Sequence, residues 1–240
     1  MPETVRIENQ FRGPPDSGNG GYVCGLLAEH IDGCAQVRLQ APPPLDQDLS
    51  ITRGDDDSIM LMDELRTIAT ARPSQLALDA PPAPSEAAAI EGSKNYTGFD
   101  HHWFPGCFVC GPQREPGDGL RIFAGCAEGS DQVLSPWIPH QSLDDGSGFV
   151  ALRFIWAALD CPGAFAAMGR SGDPLVLGTL TVEIDRPVPV GERCVIAGWL
   201  IAKEGRKHHC GTAIYSESGQ VCARANAIWI RIDAPNNSVQ

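Results

Sequence analysis

The chain has 240 residues, 42% hydrophobic and 20% charged, with a formal net charge of −12. That length supplies one large core or two smaller ones, and the acidic balance disfavours a phosphate backbone, so no nucleic-acid partner is expected. No apolar run is long enough to cross a bilayer, the opening MPETVRIENQF has neither a basic nor an apolar signal segment, and the nine cysteines are scattered through strand and helix patterns. Together these features predict a cytoplasmic protein with reduced thiols and no membrane partner.

Residues 5–11 read as a short strand, followed by the loop RGPPDSGNGG. A helix is predicted over 22–31, opened by Gly20 and Gly21 and stopped at Gly33. Residues 34–41 alternate as a strand, with Val37 and Leu39 opposed to Gln36, Arg38 and Gln40. Residues 49–53 and 58–71 read as further strands around the turn Gly54-Asp55-Asp56-Asp57. Composition then shifts. Residues 73–98 carry Pro73, Pro81, Pro82, Pro84 and several alanines, the pattern of a linker, with SEAAAIEG as a short helix inside it.

After Phe99 comes the loop HHWFPGCFVCGPQREPGDG, then the predicted strands GLRIFAG and QVLSPWIP. The polar loop HQSLDDGSG leads into GFVALRFIWAALDCPGAFAAM, a helix apolar nearly all round. Pro162 lacks an N–H and disfavours helical geometry at Cys161, so this helix is expected to kink or stop there. The chain ends in a long antiparallel meander cut at 190–192, 204–206 and 217–220. The domains read from this order are 1–72, a shorter N-terminal unit; 73–98, a linker; and 99–234, a fuller C-terminal unit. Each unit runs strand, glycine-containing loop, helix, antiparallel strands.

The segment CFVCGPQREPGDGLRIF resembles the opening of the PaaI-like acyl-CoA thioesterases, and GTLTVEIDRPVPVGERCVIAGWLIAKEGRKHHCGTAIYSESGQVCARANAIWIRI resembles their C-terminal strands. Asn19-Gly20-Gly21 is similar to the helix-opening His-Gly-Gly of that group, with Asn19 in place of the His, while the second unit has Gly146-Ser147-Gly148 at the corresponding point. Together the motifs span most of the chain. The resemblance implies an α+β double hotdog, two antiparallel sheets each wrapped around a central helix. It also implies a thioester hydrolase acting on an acyl-CoA or acyl-carrier substrate, as a monomer of the double unit or a homodimer. A hotdog protein that binds acyl groups without turnover is the alternative, and a dehydratase or hydratase of the same fold ranks last.

Thioester hydrolysis needs a polarised carbonyl and an activated water or nucleophile. A helix N-terminus offers unpaired N–H groups to a developing oxyanion. Gly20 and Gly21 fit that role, with Gly148 as a second substrate-binding glycine. Glu29, two turns along the same helix, is a candidate catalytic carboxylate or a residue of a solvated face. Asn19 either orients water or substrate, as Asp16, Asp144 and Asp145 could in the same loops, or serves as a turn former or cap. Asp160 is the only acidic residue in its apolar helix and must be paired, hydrogen-bonded or shifted in pKa. It either contacts the substrate, pairs with Arg153, or caps a second helical segment. The preferred site joins Gly21 of one unit to Asp160 of the other. His101, His102, Cys107 and Cys110 carry donors suited to zinc, but a single Cys-x-x-Cys also reads as a loop entering a strand, and no metal and no cofactor is assigned. Cys24 and Cys161 read as buried packing thiols. His208 and His209 are either phosphate contacts or part of an exposed hairpin.

Overall fold

The computed structural model describes residues 3–127, 129–169 and 172–234. In the N-terminal part, β1 (Glu3–Arg6) is followed by α1 (Gly20–Ala28), then β2 (Ala35–Leu39), β3 (Asp48–Arg53), β4 (Ile59–Asp63) and β5 (Arg66–Pro73). A further helix, α2 (Glu86–Lys94), precedes β6 (Gly125–Cys126) and β7 (Gln132–Trp137). Helices α3 (Leu152–Ala158) and α4 (Cys161–Met168) lead into β8 (Leu175–Ile184), β9 (Cys194–Glu204), β10 (Lys207–Tyr215) and β11 (Val221–Arg231).

The strands form one sheet, ordered β1-β3-β4-β5-β2-β8-β11-β10-β9-β7-β6, with every pairing antiparallel. The two separate sheets expected from the sequence are therefore corrected to one continuous sheet. The reason is the edge between the units. β2 and β8 pair from Ala35↔Val182 to Arg38↔Thr179, which satisfies backbone groups that two isolated sheets would leave open. The order also contains a repeat. Within the first unit the sequence of neighbours is β1-β3-β4-β5-β2, and within the second it is β7-β9-β10-β11-β8. With the two-residue edge strand β6 set aside, both read first, third, fourth, fifth, second, with helix inserted between the first strand and the second.

The alternation seen in the sequence sets which faces are buried. α1 is buried over most of its length and packs against β2, β5 and β8, while α4 packs on β9 and β10. The linker segment does more than connect. Its helix is capped by Ser85, whose side chain accepts the Ala88 N–H, and it covers the opposite sheet face, where Ala89 joins Leu134, Val195, Ala197 and Tyr215. Tyr215 Oη donates to Pro81 O and Arg224 to Leu78 O, tying the preceding chain to the sheet.

Three sequence expectations change. The strand read over 58–71 is two strands, because Glu64 takes a left-handed φ of 51° and Leu65, 97% exposed, completes a tight hairpin. The strand read in GLRIFAG shrinks to Gly125–Cys126, since Leu120 and Ile122 spend their N–H groups on Phe108 O and Val109 O. Helix α1 ends at Ala28, short of Gly33, as the next N–H groups turn back to Leu27 O and Ala28 O. The break at Pro162 is present: α3 stops at Ala158 and α4 begins at Cys161.

Helices α1 and α3 cross in close contact. A Cβ on Gly25 would lie 2.5 Å from Arg153 Cα, and one on Gly21 would lie 2.5 Å from Asp160 Cβ. These glycines, four apart and so on one helix face, let the helices touch backbone to backbone. A Gly25→Ala variant is expected to lose about 1–3 kcal/mol through overpacking against an atom that cannot move aside, read as a lower urea midpoint with an unchanged slope.

Candidate active site

Asp160 sits between α3 and α4, in the gap that Pro162 opens. Its backbone leaves helical geometry, with ψ at −81°. The side chain is 1% exposed. Oδ2 accepts hydrogen bonds from Gly21 N at 3.0 Å and from Asn19 Nδ2 at 2.9 Å. Oδ1 is buried with no hydrogen-bond partner among the described residues. Burial pushes the carboxyl up to about 7, opposed by the Gly21 N–H and the Asn19 amide and reinforced by the charge of Cys107.

The opening of α1 accounts for its own donors. Asn19 is the N-cap, and its Oδ1 accepts the Tyr22 N–H at 2.9 Å. The Gly21 N–H goes to Asp160 and the Val23 N–H to Asn19 O. Of the orphan donors expected at a helix start, the Gly20 N–H has no acceptor among the described residues. Gly20 is half-buried and lines a cavity of about 1170 Å³ that Asp160 and Asn19 also line. The walls away from the polar end are apolar, including Leu175 and Leu177 of β8, Phe165 of α4 and Trp229 of β11. The Trp229 indole N–H is buried with no partner among the described residues.

The structure thus brings together Asn19, Gly20, Gly21 and Asp160, the first three from the start of α1 and the last from the break between α3 and α4. The anticipated division of labour between the glycines shifts: Gly21 is occupied by Asp160, and Gly20 holds the open donor. The other two candidates lie elsewhere. Glu29 is at the far end of α1, where both carboxylate oxygens bind Arg153, at 2.8 and 3.0 Å. Arg153 is therefore engaged there, and among the described residues Asp160 has no ion pair. Gly148 is exposed, in a turn where its N–H and that of Gly146 bond Asp144 Oδ1. Asp144 and Asp145 are turn formers in this loop. Asp16 is exposed at the cavity wall. His208 is buried and His209 half-buried.

Beside the carboxylate lie three thiols, those of Cys107, Cys110 and Cys161. Hydrogen bonds from Cys110 and Cys161 hold the Cys107 thiol well below the usual range, and the two donors are pushed up in return. The loop bearing Cys107 is positioned by Phe108, whose N–H bonds Arg12 O and whose ring packs edge-on to Phe11, itself stacked on Tyr22 at 4.2 Å. Sequence reading did not single out Trp229, nor the company Cys161 keeps. Both depend on which strand or loop faces α4, and no local pattern encodes that.

No family model and no curated protein matches the sequence. Solved structures do. The tesB protein of Mycobacterium avium subsp. paratuberculosis is 10% identical, with 96% of this chain and 92% of that one covered at a TM-score of 0.63. Acyl-CoA thioesterase II TesB2 of Mycobacterium marinum is 11% identical, with 97% and 93% covered at 0.61. A hot dog fold protein of Alicyclobacillus acidocaldarius is 10% identical, with 96% and 92% covered at 0.52. At such identities the likeness establishes the fold: this chain has the hotdog architecture found in TesB-type acyl-CoA thioesterases, extended over nearly its whole length.

The geometry separates Glu29 from the site, which gives a direct check. Glu29→Ala should cost no more than about 1 kcal/mol in a denaturant titration, as for a partly exposed ion pair, and leave the rate of any thioester hydrolysis within about twofold of the parent, since a kinetic loss of tenfold already requires about 1.4 kcal/mol of transition-state stabilisation.

Proposed function

We propose that this protein is a thioester hydrolase acting on an acyl-CoA or acyl-carrier substrate, built as a double hotdog whose units are residues 1–72 and 99–234, joined by 73–98. The repeated strand order supports the double unit. The observation that carries the activity is the buried, unpartnered Asp160 Oδ1 in a cavity wall shared with the open Gly20 N–H. A carboxylate held on one oxygen by two donors has its other oxygen free to take a proton from water. A helix N-terminus with an unused N–H beside it suits a carbonyl oxygen that becomes negative.

In this mechanism the acyl chain lies along the apolar wall formed by β8, α4 and β11. Its carbonyl oxygen accepts from Gly20. Water attacks the carbonyl carbon as Asp160 takes its proton, forming a C–O bond and a tetrahedral oxyanion. Collapse breaks the C–S bond, and the proton on Asp160 passes to the leaving sulfur, so the products are a carboxylic acid and a free thiol. Asn19 and Gly21 act as positioning groups that fix the carboxylate. Each unit supplies part of the site, so one chain contains the pair that a single hotdog unit would obtain by dimerising, a reading compatible with a monomer or a homodimer of double units.

The test is thiol release from acyl-CoA substrates of stepped chain length. Asp160→Asn keeps the shape and an oxygen able to accept from Asn19 and Gly21, but it loses the base. It is expected to unfold cooperatively like the parent while kcat falls about 100-fold or more. Undiminished turnover in this variant would remove Asp160 from the mechanism. Saturable acyl-CoA binding by the parent chain with no thiol release would establish the non-catalytic alternative. Filling the wall with Ala164→Phe should raise KM more for long acyl chains than for short ones, because about 0.8 kcal/mol of burial is lost for each methylene that no longer fits.

A further inference from the structure

The three thiols beside Asp160 form a cluster that hydrolysis does not use. Cys107 and Cys110 come from the loop ahead of β6, and Cys161 is the first residue of α4. All three are buried, and their Sγ atoms lie within 4.8 Å of one another. Cys107 Sγ and Cys161 Sγ are 3.8 Å apart. Two thiolates bound at about 2.3 Å to one tetrahedral zinc ion lie about 3.8 Å from each other, whereas a disulfide needs about 2.05 Å. The spacing matches shared metal ligation.

The local backbone is shaped for the same purpose. In Cys107-Phe108-Val109-Cys110-Gly111 a tight turn brings the Cys107 and Cys110 sulfurs within 4.8 Å of each other. The Gly111 N–H closes the turn on Cys107 O at 2.9 Å. A Cβ on Gly111 would come within 2.5 Å of both that oxygen and Pro105 O, so the turn requires glycine. Around this shell, Asn19 Nδ2 reaches Cys107 Sγ at 3.8 Å and Cys161 Sγ at 4.0 Å. His102 Nδ1 accepts the Phe104 N–H at 2.9 Å, so in the neutral ring Nε2 carries the proton. That proton lies toward Cys110 Sγ, 3.4 Å away. His102 then serves as an outer donor that supports a thiolate ligand, with no ring nitrogen left to bind metal.

We propose that Cys107, Cys110 and Cys161 form a three-thiolate site for a soft divalent cation, zinc foremost, with the fourth position open to the acyl cavity that all three line. The site is distinct from the His-rich set suggested by sequence, because Cys161 arrives from a segment 51 residues beyond Cys110 and His101 is exposed. It does not depend on the hydrolase reading, and it can be tested without any turnover assay.

The reduced full chain, expressed in zinc-supplemented medium and dialysed, is expected to hold about one zinc ion. After chelation, cobalt(II) should restore a thiolate-to-metal charge-transfer absorption. Cys110→Ser should reduce retained zinc at least tenfold, while Cys34→Ser, outside the cluster, should retain it in full. If Cys110→Ser fails to fold, the parent chain still decides the matter. Zinc should protect Cys107, Cys110 and Cys161 from alkylation, mapped by peptide mass, and chelation should expose them. Zinc that leaves those three thiols reactive, cobalt that gives no charge-transfer band, or a folded Cys110→Ser chain that retains zinc like the parent would each overturn the site.

Discussion

The rest of this structure depends on one buried carboxylate bridging the start of α1 and the break between α3 and α4. Asp160 is buried, has no ion pair among the described residues and is held by the Gly21 N–H and the Asn19 amide. A buried charge of this kind is tolerated only where donors replace its water. Those donors exist because α1 opens at that point and Asn19 caps it. The helices must come together for the bonds to form, which excludes a side chain at Gly21 and at Gly25. Asp160 itself can face α1 because Pro162 ends the first helical segment and frees the chain between α3 and α4.

The same contact explains why the sheet is continuous. With α1 and α3 in contact, the second strand of each unit lies at the centre, and β2 pairs with β8. The cavity forms on the helix side of this junction, between the loop before α1, the loop bearing Cys107 and the concave wall of β8 and β11. Among the described residues its lining carries a spare acceptor, Asp160 Oδ1, and spare donors in the Gly20 N–H and the Trp229 indole N–H. Elsewhere in a folded protein such unpaired groups would be a defect. Here the residues that carry them line a space of ligand size, the setting in which incomplete satisfaction serves a reacting group.

Much of the fold was legible because the periodicities were strong. The long strands β8 to β11 alternate or are rich in β-branched and aromatic residues, and they are separated by glycine turns at 191, 205 and 219, each with positive φ. The broken helix was legible from Pro162 and the lone Asp160 in apolar surroundings. The misread segments were those where pairing competes with local pattern. Residues 58–71 are rich in apolar and β-branched types and hide a hairpin at Asp63-Glu64-Leu65, and residues 120–124 alternate but give the Leu120 and Ile122 N–H groups to Phe108 O and Val109 O. Within the site, Asn19, Gly20, Gly21 and Asp160 could each be selected on chemical grounds. Glu29 could not be assigned from its helix position alone, since its partner Arg153 lies 124 residues away.

The amino-acid sequence by itself determined the inventory: which segments are strands, where two helices begin and break, and which polar groups are stranded among apolar neighbours. These follow from forces acting over a few residues, namely side-chain alternation, capping and the missing N–H of proline. Only the tertiary structure decided the pairings between distant groups: Asp160 with Gly21, Cys161 with Cys107, and Arg153 with Glu29 rather than with Asp160. Such pairings join residues 54 to 139 positions apart, brought together by the packing of α1, α3, α4 and the Cys107 loop, which no local pattern specifies.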